Sequence, residues 1–510
     1  MMYNDANEKH NAERSIPFHP QKQPHYSCSL RAKNLKNIFS DCVDLETRTI
    51  FVGGSDSLML HCFFIDGLIS GTDASKNILC PLTDNARFGD VRSEAEAFDL
   101  ALGGGVYGAS AKPCRSTDEA VSAILNGFVL LVFDGLERAL AFEARSSAQR
   151  SVEEPVSEQS LKGARDSFTE TLRINTALVR RHLRNSALKF RATTLGRKSN
   201  TRVELAWIDG VANPSLIETL QNRLDALETD GLLTSSVVEA ILSDTPRSPF
   251  PQFMLTERPD RFGMNLLEGR IGLLIDGLPL GWLLPATLPQ QLRVPEDVSK
   301  HSFIASTLTL LRHLALLVAI LFPALYVAVA MYHQEMIPVR LLLSVIESKQ
   351  AVPFSTAAEV AGMLIAFELL QEAGLRLPPS VGETVSIIGA LIVGQSAVEA
   401  RVISPIAVIV VATAGIASFT IPNQDLGQAL RLTRFALVLT AIAAGMFGIA
   451  AGCIVLLWHL CSLNSCGVAY LAPMADGGLR DYLHALTVAP RHRDKFRDPR
   501  LNTPDRRREK

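Results

Sequence analysis

The sequence predicts an α/β plus membrane α-helical protein. It reads as two related α/β cytoplasmic subdomains, followed by a polytopic helical membrane domain with a broken or re-entrant segment. Three observations carry this. Among the 510 residues, positions 1–310 mix charged, polar and apolar side chains, whereas 311–475 are dominated by Leu, Ile, Val, Ala and Gly. Asp-Gly pairs recur at a near-constant spacing in the first part. Within the most apolar third, the stretch Phe367 to Pro405 nevertheless carries Glu368, Glu372, Arg376, Glu383, Glu399 and Arg401. Ionisable groups at membrane depth are costly and normally face a protein interior or a wet path.

Residues 1–37 are polar, rich in Pro and His at their start, and are expected to be disordered. They lack the apolar core of a signal peptide, which keeps the first subdomain in the cytoplasm. A net charge of −2 gives no global nucleic-acid footprint, so no nucleic-acid partner is expected. The eight cysteines form no CxxC pair and stand beside no histidines at metal-ligand spacing. They read as free thiols in a reducing compartment, with no zinc site and no disulfide framework.

Subdomain 1 is placed at 38–152. Its strand HCFFI (61–65) runs into Asp66-Gly67, and FVLLVF (128–133) turns at Asp134-Gly135 into ALAFEA. Subdomain 2, with a connecting helix, is placed at 153–300. There VELAWI (203–208) runs into Asp209-Gly210, and RIGLLI turns at Asp276-Gly277 into GWLLPA. The paired Asp-Gly steps are 68 and 67 residues apart, which implies a repeat. Asp-Gly tolerates the positive φ a tight hairpin needs. The turn reading is preferred over ligand binding by these aspartates.

Leu216, Leu220, Leu224 and Leu227 fall at helical spacing after Pro214 and read as core. The run LGGGVYG (102–108) lacks the Gly-Lys-Ser/Thr of a phosphate loop and reads as a flexible loop. In the connecting segment, Arg165, Arg173, Arg180, Arg181 and Arg184 give a basic helix. It is either a solvated connector or a face that docks a partner, a neighbouring subunit or anionic headgroups. No nucleophile–base arrangement, metal cluster or nucleotide loop is present, so neither an enzyme nor a bound cofactor is expected.

The membrane domain is placed at 301–475, with spans near 313–332, 355–374, 402–421 and 435–461. The piece 384–400, interrupted by Gln395 and Glu399, reads as re-entrant or interfacial, and Pro378-Pro379 separates it from the helix before. Gly448 and Gly452 form a GxxxG for close helix packing. The basic tail 476–510 favours a cytoplasmic C-terminus and so an even number of crossings. Arg340, Lys349, Arg431 and Arg434 fall on the other side and count against that arrangement. Glu368, Glu372 and Arg376 share one helix face at i, i+4, i+8, where Glu372 can pair with Arg376 and Glu368 has no local partner. With Gln395, Glu399 and Arg401, these residues either line an ion path or gate, or form an interfacial helix end with snorkelling charges.

Several segments carry a resemblance: GARDSFTETLRIN (163–175), SPFPQ (248–252), TERPDR (256–261), LLEGR (266–270), DGLP (276–279), FPALYVA (322–328), HQEMIP (333–338), VPF (352–354), FELLQEAGLRLP (367–378), GETVSIIGALIVGQSAVEA (382–400) and SFTIP (418–422). In these the chain resembles the A subunit of GerA-type spore germinant receptors. The resemblance implies a multi-pass protein of the inner spore membrane with a large cytoplasmic N-terminal region. It implies partners as well: a transporter-like B subunit, a lipoprotein C subunit, further copies of itself and membrane lipid. The implied role is to start germination when nutrient is sensed, by forming or gating an oligomeric ion channel. The alternatives are a non-conducting scaffold, or the related branch acting with the dipicolinic-acid release machinery. One departure is Arg401 after the AVEA motif, where a small or neutral residue is expected.

Overall fold

The computed structural model describes residues 25–54, 58–106, 111–144, 155, 158, 163–376, 394–475, 477–488 and 495–508. The chain forms two compact units, 1–151 with 176–191, and 152–175 with 192–510.

The first unit is built on an antiparallel sheet of β1 (Leu45–Phe51), β2 (Met59–Ile65), β3 (Ala111–Cys114), β4 (Phe128–Phe133) and β5 (Arg138–Glu143), ordered β1-β2-β4-β5-β3. Every residue of β4 is buried, because both faces of the sheet are covered. Val129, Leu131 and Phe133 face one core with Phe98, and Phe128, Leu130 and Val132 face another with Leu35 and Ile124. Residues 25–37 are ordered up to and into the Ala32–Ile38 helix, contrary to the expected disorder. The reason is apolar: Leu35 is fully buried beneath the sheet. Residues 102–105 of the glycine-rich run fall in a wide helical turn, Ala101–Gly105, that is broken at Gly104 with φ 98°, while 107 and 108 lie outside the described residues.

A second sheet repeats the first. It comprises β6 (Leu188–Leu195), β7 (Thr201–Ile208), β8 (Met254–Thr256), β9 (Ile271–Ile275) and β10 (Gly281–Leu284), ordered β6-β7-β9-β10-β8. Strand for strand, this is the order of the first sheet, as the Asp-Gly spacing implies. Leu216, Leu220 and Leu224 of the Pro214–Asp225 helix pack on it with Trp207 and Trp282.

The turn reading of the aspartates holds, with an addition. Gly67, Gly210 and Gly277 have φ of 82°, 75° and 86°; in the β4–β5 turn the positive φ falls on Glu137 instead. The two hairpin aspartates also cap helices. Asp134 Oδ1 accepts the Ala32 amide at 2.8 Å, and Asp276 Oδ1 accepts the Leu172 amide at 3.0 Å. Each cap fixes the helix preceding the first strand of its repeat, Ala32–Ile38 before β1 and Leu172–His182 before β6.

In the C-terminal part the longest helical stretches among the described residues are α1 (Ser302–Tyr332), α2 (Val339–Lys349), α3 (Thr356–Arg376), α4 (Pro405–Phe419) and α5 (Gln424–Ser462). By length and composition α1 and α5 could each cross a membrane. The stretch α1 has 31 residues, about 46 Å against a hydrocarbon core of about 30 Å, and stays helical through Pro323. Its second half packs on α3, α4 and α5 through Val327, Leu364, Val411 and Leu437. Of the expected re-entrant piece at 384–400, residues 394–399 are helical; 384–393 lie outside the described residues, as do Pro378, Pro379 and Glu383 before it.

The stretch α5 is not the single tilted span expected at 435–461. Ala444 and Gly445 leave the helical region, Gly445 with φ 59° and ψ −136°. A Cβ built on Gly448 would lie 2.0 Å from the Thr440 carbonyl oxygen, and one on Gly452 would lie 2.6 Å from Leu437 Cδ2. In an unbroken helix Thr440 and Gly448 would stand about 12 Å apart, and Leu437 and Gly452 about 22 Å. The chain therefore reverses at 444–445, and α5 is a helical hairpin closed through its GxxxG glycines.

Candidate functional site

Two charged clusters join helices in the helical part, each around a buried side chain, Arg434 in one and Glu359 in the other. In the first, Glu368 on α3 is held by the outgoing arm of the hairpin. Arg434 Nη2 donates to Glu368 Oε1 at 2.7 Å, and Arg431 Nη1 donates to Glu368 Oε2 and to Gln371 Oε1, both at 3.1 Å. Arg434 is 1% exposed. Burying a guanidinium without a counter-charge is costly, so Glu368 is what makes that position tolerable. Among the described residues one carboxylate here faces two guanidiniums, a formal surplus of one positive charge. The partner that Glu368 lacks locally thus comes from another helix, 63 and 66 residues later. Arg434 is buried and Arg431 half-buried, and both are held by Glu368.

The second cluster centres on Glu359, one of the least exposed carboxylates at 2%. Its Oε2 accepts the backbone amide of Ser404 at 2.8 Å, and its Oε1 lies 3.4 Å from Lys349 Nζ. Ser404 is the N-cap of α4 and is itself fully buried. Lys349 also donates to Thr356 Oγ1. One carboxylate thereby ties the end of α2, the first turn of α3 and the start of α4, where a negative charge suits the helix dipole. Composition alone offered no signal for this role, because Glu359 resembles any first-turn acid.

The other expected residues are placed as follows. Glu372 is exposed one turn beyond Glu368. Arg376 ends α3. Gln395 Nε2 donates to Glu399 Oε1 at 2.8 Å on the exposed 394–399 helix. Arg401 is exposed and left-handed, with φ 57°, where it terminates that helix. A C-terminal position of this conformation favours Gly or Asn, so the departure at Arg401 is conformational as well as electrostatic.

The expected basic docking helix divides. Arg180 is fully buried and belongs to no surface: it donates to Asp44 at 2.8 and 2.9 Å, to the Asn185 and Leu188 carbonyls, and stacks on Phe190. Planar Arg suits a bidentate, stacked site of this kind. Arg184 donates to Asn126 Oδ1 at 2.9 Å. Arg165 and Arg173 are exposed, and Arg181 is half-buried.

The SPFPQ segment joins the α/β part of the second unit to the hairpin. Ser248 Oγ lies 2.9 Å from His459 Nε2, Phe250 packs on Tyr470, and the Ser465 hydroxyl donates to the Gln252 carbonyl at 2.5 Å. Arg312 of α1 pairs with Asp297, and the Leu288 amide donates to the Tyr470 carbonyl at 2.8 Å. Burial pushes the Tyr470 phenol above its ordinary value and the Cys466 thiol up to about 12. This buried seam joins the returning arm of the hairpin to the second sheet.

Among known proteins, the family described as Bacillus/Clostridium GerA spore germination protein matches residues 33–499. The chain is 34% identical over 480 residues to "Spore germination protein KA" of Bacillus subtilis (strain 168), covering 93% of this chain and 87% of that protein. It is 31% identical to "Spore germination protein GerLA" of Bacillus cereus, covering 93% and 95%, and 37% identical to "Uncharacterized membrane protein YfkQ" of Bacillus subtilis (strain 168), covering 86% and 84%. Among solved structures, the N-terminal domain of the A subunit of the Bacillus megaterium spore germinant receptor GerK3 is 27% identical, with 51% of this chain and 98% of that one covered at a TM-score of 0.40.

Proposed function

Because this chain belongs to the GerA spore germination protein family, we propose that it is the membrane subunit of a nutrient germinant receptor and that it forms or gates an oligomeric ion path. In this reading it resides in the inner spore membrane, with its α/β subdomains and C-terminal tail on the cytoplasmic side. It assembles with copies of itself, a transporter-like B subunit and a lipoprotein C subunit. The observation that carries the gating role is the cluster Glu368–Arg431–Arg434, a charged lock between α3 and the hairpin inside the most apolar part of the chain. A lock of this kind has two arrangements, paired and unpaired, and the difference between them is what a bound partner could bias. Glu372, Arg376, Gln395, Glu399 and Arg401 extend the proposed path beyond it.

Spores carrying Glu368→Gln or Arg434→Gln should show altered kinetics of nutrient-triggered monovalent-cation release, at normal protein level. Wild-type kinetics in both variants overturns the gating role. A second reading is favoured by the surplus positive charge of the same cluster, which repels cations: the subunit is then a non-conducting scaffold. Reconstitution of the purified oligomer in liposomes separates the two, since a scaffold gives no conductance with any nutrient or partner.

A further inference from the structure

We propose that α2 is an interfacial anchor, lying flat among the lipid headgroups on the side of the bilayer opposite the α/β part of its unit. This rests on the membrane reading above. No span was expected at 339–349, and the segment is too short to be one. Three faces run along it. Val345 is its buried contact with the protein. Arg340, Ser344 and Glu347 form an exposed polar flank, and Leu341, 54% exposed, lies between that flank and Val345. Val339, Leu343 and Ile346, at i, i+4, i+7, form an exposed apolar flank, with exposures of 71%, 61% and 44%.

Apolar and polar stripes both left open on one docked helix fit a boundary between two solvents. The position fits as well. The helix follows Tyr332, whose hydroxyl donates to the Ile442 carbonyl beside the hairpin turn, and it ends on Lys349 at the Glu359 cluster. It therefore sits at the end of α1 remote from the Arg312–Asp297 anchor. The two long apolar stretches that bracket its position, α1 and the hairpin, expose apolar side chains of their own, Leu314 and Leu317 on α1 and Phe447 on the hairpin. A helix set at the end of such membrane-length segments favours lipid over a second copy of the chain.

The test uses the full chain in phosphatidylcholine–phosphatidylglycerol vesicles whose acyl chains carry bromine near the glycerol. Trp207 and Trp282 are buried in the α/β core, whereas Trp458 on the hairpin is 73% exposed and reports the membrane reading directly. In a Trp458→Phe background, L343W and I346W should be quenched at least about two-fold more than R340W, which probes the polar flank. Quenching no greater than in R340W, while native Trp458 is quenched, overturns the anchor and leaves the membrane reading intact. Native Trp458 left unquenched overturns the membrane reading and the anchor with it. Protection of L343W and I346W from bromolipid through contact with a second copy or another subunit also overturns it.

Discussion

Glu368 and Arg434, 66 residues apart in sequence and on different helices, meet at 2.7 Å, where the guanidinium is 1% exposed and the carboxylate is shared with Arg431. Breaking such a pair leaves a buried, uncompensated charge, so Glu368→Ala should cost about 3–5 kcal/mol. Replacing both partners removes the orphan, and Glu368→Ala with Arg434→Met should cost clearly less than the sum of the single changes. Thermal unfolding of the detergent-solubilised chain and its variants measures this coupling. Additive losses would mean that the pair is only a surface-like contact.

The hairpin in α5 makes a geometric prediction. Leu437→Cys with Gly452→Cys should form an intrachain disulfide on mild oxidation, because the two side chains converge across the turn at Gly445. A continuous helix would hold these positions about 22 Å apart and give no cross-link. Gly448→Val should open the hairpin, since even a Cβ there meets the Thr440 carbonyl oxygen at 2.0 Å. In that background the cross-link should be lost.

How legible the chain was follows from the range of the forces involved. The repeated subdomains could be read because hairpins are local: Asp-Gly turn chemistry and the apolar strands before it lie within ten residues of each other. The lock at Glu368 could not, because Arg431 and Arg434 are adjacent to it only in space. The hairpin was missed because hydropathy does not report direction. Gly445, Gly448 and Gly452 looked like a packing motif for a partner helix, and the partner is the same segment folded back. Arg180 looked like surface charge because a helical basic run normally is; its counter-ion, Asp44, lies 136 residues earlier.

The hairpin aspartates should be worth more than their turns. Asp276→Ala removes the acceptor of the Leu172 amide and should cost about 1 kcal/mol, whereas Asp276→Asn, which keeps a cap oxygen, should cost less. Hydrogen exchange resolves the effect. Amides in the first turn of the Leu172–His182 helix should exchange faster in the Ala variant, with the β9–β10 ladder unchanged. Equal protection in both variants would leave Asp276 with a turn role only.

Thiol chemistry should separate the cysteines of the first unit. Burial pushes Cys62 up to about 12 and Cys114 up to about 11, while Cys28 and Cys80 are exposed. At pH 8 a thiol with a value near 12 is ionised in only about one molecule in ten thousand. Maleimide should therefore modify Cys28 and Cys80 and spare Cys62 and Cys114 until the unit unfolds, as peptide mass mapping will show. Above the ordinary thiol value the unfolded chain has released protons that the folded chain retains, so stability falls as pH rises through that range.

Arg497 closes the C-terminal tail onto the second α/β subdomain. Only 8% exposed, it donates from Nε to the Leu267 carbonyl at 2.7 Å and from Nη1 to the Asp505 and Arg507 carbonyls at 2.8 Å. Those bonds satisfy the end of the Pro259–Leu267 helix and hold the tail in a loop at the same time. Gly269, at φ 96°, leaves room for Thr503; a Cβ there would lie 2.3 Å from Thr503 Cγ2. Arg497→Lys cannot reproduce three bonds from one planar group, so it should behave much like Arg497→Ala. Charge-assisted bonds of this kind contribute on the order of 1.5–3 kcal/mol each, so trypsin should cut at Arg506 and Arg507 at least about ten-fold faster in either variant and in Gly269→Ala. Arg500→Ala keeps Arg497 in place and should leave most of that protection. Equal cleavage of all these tails, wild type included, would show that the clasp is open in solution.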